Sequence, residues 1–148
     1  YEPQIIIIES FGYNPLSQFP RQEGLKKQNE TLDKVVDLIQ QKRPKTKIVF
    51  LSTISPNKRL FGYHSVDLSD SERAKWVEER INYIKNHMDY AKTHNIPLID
   101  VFNKSKDLTG DGDSKYINDR DYIHPSPKGI IFIQKEIADF IYQNKLLN

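Results

Sequence analysis

Residues 4–10, QIIIIES, set four isoleucines in succession with no polar residue between them. Along an extended strand successive side chains point to opposite faces, so two isoleucines go to each side. Only a strand lying between two covering layers hides all four. Two further runs share this character, KIVFLST at 47–53 and IPLIDVF at 96–102. Together the three predict short strands buried on both faces, the pattern of a parallel sheet rather than of a sheet with one wet face.

The segments between the runs have helical spacing. Leu25, Leu32, Val35, Val36 and Ile39 recur on one side of a predicted helix that Pro44 follows. Val77, Ile81, Ile84, Met88 and Ala91 step by three and four along a second helix, which Ser69 or Ser71 can cap and His94-Asn95 can end. After Gly129, Ile130, Ile133, Ile137 and Ile141 form the expected buried stripe of a last helix. Alternating strands and helices predict an α/β fold, with a parallel sheet covered by helices on both faces and joined by right-handed crossovers. Ligand sites in such sheets lie beyond the carboxyl ends of the strands. The 148 residues are read as one domain, 1–148.

Charge and composition remove several function classes. A formal charge of +2 with scattered Lys and Arg leaves no basic face for nucleic acid. The densest basic run, QQKRPKTK at 40–47, closes a predicted helix, where cations complement the dipole. Without cysteine there is no disulfide framework, no thiolate nucleophile and no cysteine-bound zinc. No apolar run approaches the length of a membrane span.

The chemistry concentrates in RDYIHPSPKG, residues 120–129. Asp121 and His124 are spaced so that the carboxylate can accept from one ring nitrogen and leave the other to take a proton. Pro125 and Pro127 stiffen the turn, which lowers the cost of holding the ring in place. An Asp-His pair that merely caps the last helix has the same spacing. In ESFGYNP, after the first run, Gly12 lets the backbone approach a ligand and Asn14 carries an amide donor. Such a pair of N–H groups can stabilise an oxyanion. An ordinary turn has the same composition.

The two loops taken together resemble the SGNH (GDSL-like) hydrolase family, in its lysophospholipase L1-like esterase branch. GYN at 12–14 is similar to the family's Gly-x-Asn-Asp block, with Pro15 in place of the Asp, and DYIHPSPKG is similar to its Asp-x-x-His-Pro block. The resemblance implies a three-layer, flavodoxin-like SGNH fold, here N-terminally incomplete. It implies Asp121 and His124 as catalytic triad members and Gly12 and Asn14 as the oxyanion hole. It implies neither metal nor organic cofactor. The family's serine belongs to a Gly-Asp-Ser block upstream of the Gly-x-Asn block, and none precedes Gly12. Gly112-Asp113-Ser114 spells the same letters but follows the polar KDLTGDGD, with no strand to aim a nucleophile.

The leading expectation is therefore a serine ester hydrolase acting on a small-molecule or carbohydrate ester, its serine supplied upstream and this chain inactive alone. An acyltransferase on a sugar or cell-wall polymer uses the same acyl-enzyme, and a nonenzymatic binding module would lack the nucleophile. The start at Tyr1, without methionine, fits a processed or truncated chain. An upstream segment is expected to cover the open edge of the first strand. Only Asp111, Gly112 and Asp113 fit a calcium-loop pattern, so 107–113 reads as a solvated acidic turn. His64, His87 and His94 have no spaced partner for zinc. The long connection 55–70 reads as a lid or a substrate wall.

Overall fold

A computed structural model describes residues 2–10 and 15–147. In chain order the elements are β1 (Ile5–Glu9), α1 (Arg21–Lys42), β2 (Lys47–Leu51), α2 (Asp70–Thr93), β3 (Leu98–Ile99), α3 (Val101–Lys104), a 3-10 turn (Ser114–Tyr116) and α4 (Pro127–Gln143). The strands form one sheet in the order β1-β2-β3, parallel throughout. β1 and β2 register from Ile5 opposite Lys47 to Glu9 opposite Leu51.

Strand alternation sends β2 into two separate cores. Val49 and Leu51 meet Ile99 and Val101, and α4 covers them with Phe132, Ile133, Ile137 and Phe140. Phe50 faces the other way, into Leu32 and Val36 of α1 and Tyr90 and Ala91 of α2. The result is an α/β arrangement with helices on both faces of a small parallel sheet. None of the helices among the described residues is long and apolar enough to cross a membrane.

Three expectations change. Ile5 to Ile8 are half-buried rather than buried, because among the described residues β1 pairs with β2 alone and stands at the sheet edge. β3 stops at Ile99, since the Asp100 carboxylate accepts from the Asn103 N–H at 2.9 Å and starts α3. In α4 the stripe holds at Ile133 and Ile137, which pack on the core, but Ile130 is 47% exposed and Phe132 takes its place on the core side. Four consecutive apolar residues, IIFI at 130–133, carry no periodicity, so packing alone chooses the face.

The long helix α2 is capped as its sequence indicates. The Ser69 hydroxyl accepts from the Glu72 N–H while the Glu72 carboxylate accepts from the Ser69 N–H, a reciprocal capping box. Its buried face comprises Val77, Ile84 and Ala91 but also Tyr83, His87 and Tyr90, and Ile81 and Met88 are only half-buried.

Candidate functional site

Buried hydroxyls and amides pin the segments leaving the strands. Ser10 Oγ accepts from Thr53 N–H at 2.9 Å, and Ser52 Oγ from Phe102 N–H at 2.9 Å. Ser105 Oγ accepts from Ser55 N–H at 2.8 Å, and the Asn57 amide donates to Gly112 O at 2.7 Å. Every one of these donors would lose a hydrogen bond in an apolar interior if its partner moved, so the loops at this end of the sheet are fixed relative to one another.

Gly112 belongs to this network rather than to a nucleophile block. A Cβ there would overlap Ser55 O and the Pro56 carbonyl, all backbone atoms. Gly112→Ala is expected to destabilise the fold by about 2 kcal/mol, because backbone cannot step aside as a flexible side chain can. Urea unfolding of the two proteins checks it. Ser114 begins the 3-10 turn, is exposed, and follows Asp113, whose carboxylate caps that turn through Lys115 N–H. No strand leads into it. The neighbouring carboxylates serve the loop: Asp107 accepts from Thr109 N–H and Oγ–H, and Asp111 from Lys58 N–H. Among the described residues no group of three or more His, Cys, Asp or Glu is placed to hold a metal.

The Asp-His turn is built from both sides. An antiparallel bridge joins Ile117 to Pro125, the Asn118 N–H donates to His124 O at 2.8 Å, and the Tyr122 N–H donates to Asn118 O at 2.8 Å. Within the turn, Asp121 Oδ1 accepts from the N–H groups of Ile123 at 2.8 Å and His124 at 3.1 Å. Asp121 Oδ2 lies 2.7 Å from His124 Nδ1. Burial of Asp121 opposes its ionisation, but the hydrogen bonds from Ile123 and His124 outweigh it and hold the carboxyl below its usual value. The carboxylate is thus ionised and aimed. With Nδ1–H donating to it, the neutral ring carries its lone pair on Nε2. The Asp121 side chain is 23% exposed and that of His124 71%, so the ring presents itself to solvent.

Capping of the last helix falls to a different residue. Ser126 Oγ accepts from Gly129 N–H at 3.1 Å, and Gly129 seats α4 so closely on Tyr116 that a Cβ would strike Tyr116 O. Gly12 and Asn14 lie outside the described residues.

Several residues that the sequence left unassigned meet this turn. The connection 55–70 is packed against the body: Phe61 is buried, and the Arg73 guanidinium donates to Phe61 O and to Leu68 O. Its tip brings Tyr63 and His64 to Tyr122, with ring centroids 6.5 and 6.2 Å apart. No sequence period reports such a contact between loops. His87 is buried and stacks on Phe50 at 4.3 Å, whereas His94 stacks on Tyr90 at 3.9 Å. For His87 a signal existed, since it lies three residues after Ile84 and four before Ala91 on the buried face.

Among the described residues, sheet and helices define an α/β protein with a parallel three-stranded sheet. Its fold is similar to a solved structure of a Streptococcus pneumoniae protein provisionally named a platelet activating factor, with a TM-score of 0.68 and 20% identity over 94% of this chain. The match takes in 60% of that structure's length. No protein-family model and no curated protein matches the chain.

Proposed function

We propose that the chain carries the acid-base half of a serine ester hydrolase of the SGNH type, on a flavodoxin-like parallel sheet. The observation that supports this reading is the His124 Nδ1 to Asp121 Oδ2 contact of 2.7 Å, made by a carboxylate whose other oxygen is held by two backbone N–H groups. Held by those two N–H groups, the carboxylate keeps Oδ2 turned toward the ring. In this mechanism a serine hydroxyl from outside residues 1–148 attacks the ester carbonyl. Its proton passes to His124 Nε2, and Asp121 stabilises the imidazolium. Gly12 N–H and the Asn14 amide bind the oxyanion. The imidazolium then protonates the leaving alcohol, and water, deprotonated by the same nitrogen, releases the acid.

The test uses the full-length gene product with a fluorophosphonate probe and short-chain aryl esters. The expected result is covalent labelling of one serine and ester turnover that stops with it, while residues 1–148 alone, with or without Ser114→Ala, stay at background hydrolysis. Absence of labelling and turnover in the full-length product would overturn the proposal.

A further inference from the structure

We propose that Tyr122 is a positioning residue for the Asp121-His124 pair, held in its backbone conformation by the aromatic tip of the 55–70 connection. The inference rests on the reading of His124 as general base, and it assigns to that connection a role that neither lid nor substrate wall describes.

The argument begins with the backbone. Tyr122 has φ 51°, in the left-handed region, which a residue with a large side chain leaves unless its surroundings hold it there. The two N–H groups that follow it are those of Ile123 and His124, which both converge on Asp121 Oδ1. Rotation of Tyr122 into an ordinary conformation would swing these donors, and the His124 ring with them, away from the carboxylate. The tautomer of His124 therefore depends on a torsion angle that its neighbour does not naturally prefer.

What holds that angle is visible on both sides of Tyr122. Its N–H donates to Asn118 O at 2.8 Å, and its side chain packs against the core cluster of Val49, Ile99 and Ile117. Its ring also meets Tyr63 edge-on, at 78° between planes, and His64 at 38°. These two rings are anchored in turn. The connection bends at Gly62, φ 71°, and at His64, φ 68°, so that both rings emerge toward Tyr122. Arg73, 4% exposed on the first turns of α2, reaches back beneath them. Its guanidinium donates to Phe61 O and to Leu68 O at 3.0 Å and lies 4.5 Å from the centre of the Tyr63 ring. Among the described residues it forms no ion pair within 4.0 Å, so its hydrogen bonds go to the connection's carbonyls. A continuous set of contacts thus runs from α2 through Tyr63 and His64 to Tyr122, whose backbone leads into the two N–H groups that hold Asp121 beside the imidazole.

The test is nuclear magnetic resonance on the 148-residue chain, labelled with nitrogen-15, and needs no enzymatic activity. The His124 ring nitrogens report the tautomer, and amide exchange at Ile123 and His124 reports their bonds to Asp121. Tyr122→Gly removes the ring while remaining compatible with the observed φ; Tyr122→Phe keeps the ring; Tyr63→Leu removes the partner from the other loop. Tyr122→Gly and Tyr63→Leu are expected to move His124 toward the Nε2–H tautomer and to speed exchange at the two amides about tenfold or more, with Phe50 exchange unchanged. Tyr122→Phe is expected to match the parent. An unchanged tautomer in Tyr122→Gly would overturn the proposal, as would equal acceleration at Phe50, which marks general loosening, or no response to Tyr63→Leu, which marks a self-sufficient turn. Failure of the esterase assay would defeat the hydrolase reading and leave these readouts intact, so the two ideas fall separately.

Discussion

His124→Ala in the full-length protein is expected to lower kcat on an aryl ester by about four to six orders of magnitude while leaving the unfolding temperature nearly unchanged. The rate effect is large because a triad of the proposed kind acts as a unit: without the imidazole the serine proton would have no acceptor, and what would remain is binding and oxyanion stabilisation. The stability effect is small because the His124 side chain is 71% exposed and packs little surface. Asp121→Asn gives a sharper version. Its Oδ1 can still accept from Ile123 and His124, so the turn survives, but an NH2 group replaces the oxygen facing His124 Nδ1. That group donates, the ring must present a lone pair to it, and the proton moves to Nε2, where a base is needed. The expected loss is about ten-thousandfold in kcat, with KM little changed. Steady-state kinetics with thermal unfolding of the same preparations checks both, and a variant that loses turnover only because it unfolds would defeat the catalytic reading.

The sheet was legible because its strands need no context. Runs such as IIII and KIVFL can be hidden only between two layers, and the helices between them force parallel pairing, as observed from Ile5–Lys47 to Leu51–Ile99. What the runs could not show was how much cover each strand has: β1 keeps its isoleucines half-exposed because burial depends on neighbours, not on sequence. At the start of α4 the face was misread at Ile130 alone, since IIFI satisfies every helical phase at once, whereas Ile133 and Ile137 pack on the core as expected. At the candidate site, the spacing of Asp121 and His124 is a local feature, and the 2.7 Å contact follows from it. The meeting of Tyr63, His64 and Tyr122 is not local, and nothing in either loop names the other. Gly112 shows a further limit: its letters suggest a nucleophile block, and only the overlap of a hypothetical Cβ with Ser55 and Pro56 backbone explains the glycine.

His87 leads to the largest expected effect on stability. Its ring is 1% exposed, wedged against Phe50 at 4.3 Å and 18° from parallel, on the helix face that also buries Tyr83 and Tyr90. Burial withdraws water from the imidazolium and lowers the pKa from 6.5 to about 4, with a backbone hydrogen bond to Ile8 partly opposing the shift. In the unfolded chain the same group titrates at its ordinary value, so between the two values the unfolded state binds a proton that the folded state refuses. Stability from this group is therefore complete above pH 6.5, falls as the pH drops toward 4, and levels off below. The difference corresponds to about 3 kcal/mol. The carboxylates held below their usual values, Asp107, Asp121 and Glu72, titrate from ordinary values of 3.8 to 4.5, and their contributions go in more acid solution. Urea unfolding from pH 7.5 down to 4 should trace the loss, and His87→Leu, which fills most of the same space without a titrating group, should flatten it in that window even where its stability at pH 7.5 is lower. An equal slope in parent and variant would assign the acid sensitivity to another residue and would mean that the ring at position 87 is reached by water.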